Sequence, residues 1–153
     1  MKKKILTLLC AVMCLMCIVG CGTIKEIDLN SLCGEIMSAN IFDEDLTQVK
    51  TSVTLKRLSI QETDVEECIA YAGTKAVVDE VVLVKATSPE AAQNVVASLD
   101  KHIALQQKSY ASYRSEEVPK LDSAVSVSEG NYVMLVVSND SAKAEEIVNS
   151  YIK

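Results

Sequence analysis

The chain has 153 residues, a formal net charge of −6, six cysteines, one histidine and no tryptophan. That length suits one domain of ordinary size. Its aromatic residues are five tyrosines and one phenylalanine, and it has only five glycines. An acidic chain of this composition lacks the basic stripe and stacking platforms of nucleic-acid binders, and it lacks the glycine-rich loops that hold phosphates. The composition therefore argues against nucleic-acid and nucleotide binding.

The first twenty residues have the pattern of an export signal. Three lysines at positions 2–4 precede an uncharged run from Ile5 to Val19. As a helix this run would span about 22 Å, which is shorter than the ~30 Å hydrocarbon core of a bilayer. The run therefore favours a secretory signal over a transmembrane helix.

The apolar run ends in a motif that resembles a bacterial lipobox. Ile18 occupies the −3 position, Val19 follows, Gly20 is the small residue at −1, and Cys21 stands at +1. A lipobox implies that the Cys21 thiol takes a diacylglycerol and that the signal is cut before this residue. We therefore predict a signal peptide at 1–20, a lipidated tether at 21–27 and a single domain at 28–153. An ordinary signal peptide or an uncleaved anchor is the alternative.

Removal of the signal would change the charge and the cysteine content. Three lysines and three of the six cysteines lie in residues 1–20, so the mature chain has 133 residues and a net charge of −9. Cys33 and Cys68 then remain beside Cys21. A disulfide between them would be worth about 3–4 kcal/mol, but we favour two buried free thiols. Two cysteines and one distant histidine do not make a zinc site, so no metal or cofactor is predicted.

Two short helices are predicted at the start of the domain. Apolar residues at three- and four-residue spacing indicate a helix from Leu29 to Met37, with Asp28 as its N-cap, and a second helix at 52–58. The acidic run 43–45 between them lacks the alternating ligands and the glycine of an EF-hand loop. We interpret that run as a solvated turn.

Two units of strand, strand and helix follow. Their segments are strands at 65–72 and 80–86 and a helix from Pro89 to about Tyr113, then strands at 124–128 and 132–138 and a helix that begins near Asp140. Ser88 and Pro89 are a typical helix start, and Gly130 with Asn131 favours a tight hairpin turn. The units match at an offset of 52 residues. Whether they form a true internal repeat stays open.

The predicted fold is α+β, with a four-stranded antiparallel sheet in the order 1-2-4-3. The second and fourth strands are apolar on both faces and therefore belong in the middle. Both long helices are expected on one face. The other apolar face needs a cover, which the N-terminal helix or a second subunit could supply. We therefore expect a monomer or a weak dimer.

No catalytic constellation is predicted. The single histidine, His102, lies on the flank of the buried face of the long helix, and the sequence contains no nucleophile motif to accompany it. We interpret it as a half-buried packing residue. Neighbouring carboxylates such as Glu116 and Glu117 point apart in a helix or strand and are expected on solvated faces.

Tyr110, Tyr113 and Arg114 are the candidate partner surface. The two tyrosines lie one turn apart near the end of the long helix. In a chain with so few aromatic residues, an exposed tyrosine pair beside an arginine would form a contact surface. The alternative is that both rings cover the end of the sheet, and burial of Tyr113 would exclude the contact surface.

Several segments resemble the bacterial lipoproteins that share domain of unknown function 4358. The most specific are the strand that begins Gly130-Asn131-Tyr132-Val133, the strand centred on Glu80, and the stretch 107–113 with its two tyrosines. The resemblance extends from about Asp43 to the C terminus. It implies a small α+β domain held on the outer face of the cytoplasmic membrane of a Gram-positive bacterium. The family has no assigned activity, so the resemblance implies no catalytic residues.

We therefore predict a lipid-anchored extracytoplasmic binding or interaction module. The membrane is a partner through the lipid alone, and the other partner is a protein, a peptide or an envelope polymer. An envelope-assembly accessory or structural protein is the alternative, and a small envelope hydrolase is less favoured. A deep pocket near His102 with a convergent acid would favour the enzyme. An exposed apolar sheet face or a tyrosine–arginine patch would favour binding.

Overall fold

The computed structural model describes residues 26–153. The predicted signal peptide, the lipobox and Cys21 lie outside the described residues. In the part of the chain that is described, no helix combines the length and the apolar character needed to cross a bilayer. Ile27, one residue before the predicted start of the domain, is buried in the core.

Residues 26–153 contain five α-helices, two short 3-10 helices at Glu62–Asp64 and Ser115–Glu117, and five strands. The α-helices are α1 Leu29–Ser38, α2 Thr51–Leu58, α3 Pro89–Tyr113, α4 Val118–Asp122 and α5 Ser141–Ile152, and the strands are β1 Thr47–Gln48, β2 Val65–Ala72, β3 Glu80–Ala86, β4 Val125–Glu129 and β5 Tyr132–Val137. Two predicted caps are confirmed. The Asp28 carboxylate accepts from the backbone N–H groups of Asn30 and Ser31, and the Ser88 hydroxyl accepts from that of Ala91. These side chains satisfy donors that the first turn of a helix leaves open.

All five strands form one antiparallel sheet in the order β1-β2-β3-β5-β4. The four predicted strands keep their predicted relative order, but the predicted count of four is wrong. β1 adds a fifth strand at the edge, where Thr47 lies opposite Ala72. Because β1 has only two residues, it carries no alternating pattern that the sequence could reveal.

The two long helices lie on opposite faces of the sheet, which corrects the prediction that they share one face. α3 packs with α2 and α4 against the face that carries Val82 and Val84. α5 packs with α1 against the face that carries Val81 and Leu83. Because β3 and β5 are buried on both sides, each face needs a helical layer. The ten-residue α1 and the twelve-residue α5 together supply the second layer.

The two strand–strand–helix units do not superimpose. β3 and β5 are antiparallel neighbours. A twofold axis perpendicular to the sheet would relate them, but it would leave both helices on the same face. Because the helices lie on opposite faces, the units have opposite hand. The 52-residue offset therefore reflects a shared apolar pattern and not a structural repeat.

The two cysteines of the described chain are free thiols. Cys33 lies among the core residues under α1 and α5, whereas Cys68 packs on the α3 side. The sheet separates them, so they cannot form a disulfide with each other. Burial raises the pKa of both thiols, that of Cys68 to about 11. Both are therefore expected to be poor nucleophiles at neutral pH.

Two local features concern the start of β2 and the turn between β4 and β5. The register shifts between Val65 and Glu67, so Val65 packs on the α3 side together with Cys68. The β4–β5 hairpin forms as predicted, but only Gly130 has a positive φ, of 57°, and Asn131 does not.

Candidate functional site

A cleft opens at the end of the sheet where β2 ends and β3 begins. It has a volume of about 410 Å³ and lies between α2, the β2–β3 loop and the C-terminal part of α3. Residues from these three elements and the first residue of β3 line it, among them Arg57, Lys75, Glu80, Gln106, Ser109 and Tyr113. Because α3 runs antiparallel to β3 and returns to this end, it brings residues far apart in sequence to one site.

Glu80 is a buried carboxylate in the floor of the cleft. Its side chain is 2% exposed, and its two oxygens contact Arg57 Nη2 at 2.9 Å and His102 Nε2 at 2.6 Å. A buried carboxylate needs such partners because its desolvation is costly. The interpretation of His102 as a packing residue was incomplete, since its ring has an acid as partner. No sequence pattern indicates this contact, because Glu80 begins an apolar strand and only the packing of α3 places His102 next to it.

The Glu80–His102 pair lies near the cleft. A deep pocket near His102 with a convergent acid is the arrangement that would favour an enzyme. His102 is not among the residues that line the cleft. Both Glu80 oxygens contact nitrogen atoms of the protein, and within residues 26–153 the one hydrogen-bond partner of His102 is Glu80. Glu80 therefore links α2, through Arg57, and α3, through His102, to the start of β3. These contacts hold the walls of the cleft in place.

A second network, of two buried acids and one exposed acid, lies beside the cleft. Carboxylate oxygens of Asp43, Asp79 and Glu117 lie within 4.8 Å of one another, a donor set that suits a hard cation. The Lys120 ammonium lies among them, ion-paired with Asp43 and at 3.1 Å from Asp79 and 3.0 Å from Glu117. Lys120 therefore supplies the compensating positive charge for this cluster, which we call the Lys120 cluster.

The pKa values in the Lys120 cluster reflect burial and pairing. Burial lowers the pKa of Lys120, but its bonds to the three acids outweigh this effect and hold the pKa above its ordinary value. The hydrogen bond from Lys120 lowers the pKa of Asp43. Burial raises the pKa of Asp79 by more than its donors lower it. The charged lysine is thus strongly favoured in the folded protein.

The Lys120 cluster also holds the backbone that forms one wall of the cleft. Glu117 accepts from the Val78 N–H at 3.0 Å, and Asp79 accepts from the Asp43 N–H at 2.8 Å. These bonds tie the end of the β2–β3 loop to the residue just before α4 and to the 43–45 turn. The expectation of a solvated face is wrong for Glu117, which is buried. The 43–45 run is a turn, but Asp43 is bound to Lys120.

The predicted tyrosine surface divides into two roles. Tyr110 is buried, and its hydroxyl donates to the carbonyls of Lys75 at 3.1 Å and Val77 at 3.2 Å. Tyr113 is 72% exposed and lies edge-to-face against Tyr110, with ring centroids 6.4 Å apart. Arg114 is ion-paired with a neighbouring acid. Tyr110 therefore holds the loop, and Tyr113 presents an aromatic ring at the rim of the cleft.

We expect Glu80→Gln to lower the free energy of unfolding by about 1–3 kcal/mol, because a neutral amide cannot replace the charge-assisted bonds of a buried carboxylate. The measurement is urea unfolding of both proteins at pH 7. Glu66→Gln is the matched control, since Glu66 is exposed and pairs with Lys85 at the surface. Equal effects of the two substitutions would contradict the assigned role of Glu80.

Comparison with known proteins identifies the family. The family model described as domain of unknown function (DUF4358) matches residues 39–138. The matched region contains all five strands, the cleft and the Lys120 cluster. No curated protein and no solved structure matches the chain. Because the family model covers more than half of the chain, as the sequence resemblance predicted, the protein belongs to the DUF4358 family.

Proposed function

We propose that the protein is a lipid-anchored binding module of the cell envelope and that the cleft at the Glu80 end of the sheet is its ligand site. The observation that carries this proposal is Tyr113, a largely exposed ring fixed against Tyr110 at the rim of a polar cleft. Exposed aromatic rings with polar neighbours are typical of binding surfaces, because they offer a large contact area at low entropic cost. The partner would be a protein, a peptide or an envelope polymer.

Rigid walls support the proposal. Glu80 joins α2 and α3 to the sheet, and the Lys120 cluster joins the β2–β3 loop to α4. Tyr110 fastens the same loop from the α3 side. A site whose side chains and loops are already ordered loses little conformational entropy on binding. The buried charges therefore contribute to a preorganised cleft.

The path of the chain supports a cleft that faces away from the membrane. Glu26 lies next to Lys85, with its Oε1 3.8 Å from Nζ, at the opposite end of β3 from Glu80. A seven-residue strand separates these ends by about 20 Å. A lipid on Cys21 would hold the Glu26 end near the bilayer. The negative charge of the domain would add repulsion from anionic lipid headgroups.

Photo-crosslinking from position 113 tests the binding function. The full chain is produced in its native cell with a photo-reactive phenylalanine derivative in place of Tyr113. We expect a light-dependent adduct of higher mass, because the ring at this position touches the partner. Ser128, which is exposed on the edge strand β4, is the matched control position. The proposal fails if position 113 gives no adduct or if both positions give the same products.

A further inference from the structure

We infer that the cleft takes a ligand that carries an anionic group, either a carboxylate or a phosphate, next to a ring or apolar face. The inference rests on the proposed function, and it names the chemistry that the same cleft would recognise. Some hydrogen-bonding groups at the cleft already bind other groups of the protein, and the groups that remain available determine which ligand fits.

Both carboxylates at the cleft are already paired with cations of the protein. Glu80 Oε1 contacts His102 and Oε2 accepts from Arg57. Asp79 Oδ2 accepts from the Asp43 N–H, and its Oδ1 is ion-paired with the Lys120 ammonium at 3.1 Å, although it accepts no hydrogen bond from the described residues. Both carboxylates are buried and compensated by neighbouring positive groups. A cationic ligand would therefore find no free carboxylate at this site.

The positively charged donors at the cleft have spare capacity. Arg57 uses Nη2 to reach Glu80, and within residues 26–153 its guanidinium has no second hydrogen-bond partner. Its side chain is 34% exposed. The side chain of Lys75 is exposed, and its ammonium forms no ion pair with any described residue. The charged groups that the cleft offers to a ligand are therefore the side chains of Arg57 and Lys75, and both are cationic hydrogen-bond donors.

An anionic acceptor matches this arrangement. Charge-assisted hydrogen bonds from guanidinium and ammonium groups to carboxylate or phosphate oxygens are stronger than neutral ones. Gln106 and Ser109 also line the cleft and can add neutral bonds. Tyr113 offers its exposed ring to the part of the ligand that adjoins the anion.

Titration with two simple anions tests the inference. The isotopically labelled full chain, purified in detergent, is titrated with sodium acetate and with sodium phosphate at constant ionic strength, and its amide resonances are followed. We expect saturable shifts at Gly73, Thr74 and Tyr113 with at least one anion and none with chloride. Lys75→Gln should weaken binding roughly fivefold. Lys56→Gln, which removes an exposed lysine from the same helix as Arg57, should leave it unchanged.

Each outcome has a defined meaning. Saturation by phosphate alone, by acetate alone or by both supports an anion site and identifies its preferred group. Absence of saturation with both anions, or equal weakening by the two lysine substitutions, overturns the inference. If crosslinking from position 113 succeeds while both titrations fail, the binding function stands and the assigned ligand class is wrong.

Discussion

Replacement of Lys120 by methionine should lower the free energy of unfolding by about 3 kcal/mol at pH 7. Methionine keeps much of the side-chain volume but removes the ammonium that lies among Asp43, Asp79 and Glu117. The side chains of Asp79 and Glu117 are 0% and 7% exposed, so water cannot solvate these two acids in place of the lost ammonium. Urea unfolding of both proteins measures the difference.

The pH dependence of this difference follows from the direction of each pKa shift. The pKa of Lys120 is raised in the folded state, so its contribution is fully present below its ordinary pKa of 10.5 and is lost as pH rises through the folded value. The pKa of Asp43 is lowered, so its contribution is present above 3.8 and is lost as pH falls through the folded value. We therefore expect a constant difference around neutral pH that shrinks in strong acid and in strong alkali.

Lys143→Met is the matched control for Lys120→Met. Lys143 pairs with Glu146 three residues away, and both side chains are exposed. Exposed pairs of this kind contribute little to stability because water and salt screen them. We expect no measurable change for this variant. If the two substitutions had equal effects, the Lys120 cluster could not be the support for the cleft that we assign to it.

Substitution of Cys21 by alanine should abolish lipid attachment. The proposed lipoprotein would lose its thiol acceptor, so a fatty-acid probe supplied to the cells should no longer label the protein. The leader should also stay uncleaved, because a lipoprotein signal peptidase acts on the lipidated cysteine. Gel fluorescence of the labelled protein and the mass of its N-terminal peptide measure the two effects.

Cys33→Ala is the matched control for Cys21→Ala. Cys33 is buried in the described domain, and its thiol pKa is raised by burial. We expect full labelling in this variant and none in Cys21→Ala. Persistent labelling of Cys21→Ala would exclude Cys21 as the attachment site and would remove the membrane anchor from the proposed function. The proposed cleft would then need another explanation for its place at the envelope.

The starts of two helices and the two central strands were predictable from the local sequence. The 3.6-residue spacing of Leu29, Leu32 and Ile36 predicted α1, and the Asp28 and Ser88 side chains predicted where α1 and α3 begin. The doubly apolar runs predicted that β3 and β5 lie side by side in the middle of the sheet. Each of these features depends on neighbours within one or two turns, or on burial of a whole strand.

The candidate site was predictable only in part. Tyr113 was named from its position near the helix end and is exposed, as a contact residue must be. Glu80 and Glu117 were missed, because acidic residues at the ends of a strand or helix usually lie in water. Their partners, His102 for Glu80 and Val78 for Glu117, are 22 and 39 residues away. No short-range pattern connects residues at such separations.

By itself, the sequence determined four of the five α-helices, the four longer strands, the order of those strands and the family; it did not indicate the short α4, which lies in a charged segment that contains Pro119. Only the tertiary structure decided which face of the sheet α5 covers, that β1 completes the edge, and which acids are buried. The reason is physical. Periodicity shows that a helix has an apolar side, but it does not specify which of two apolar faces receives it. That choice depends on the area each face leaves uncovered, and the buried charges are stable only where the assembled elements bring Arg57, His102 and Lys120 to them.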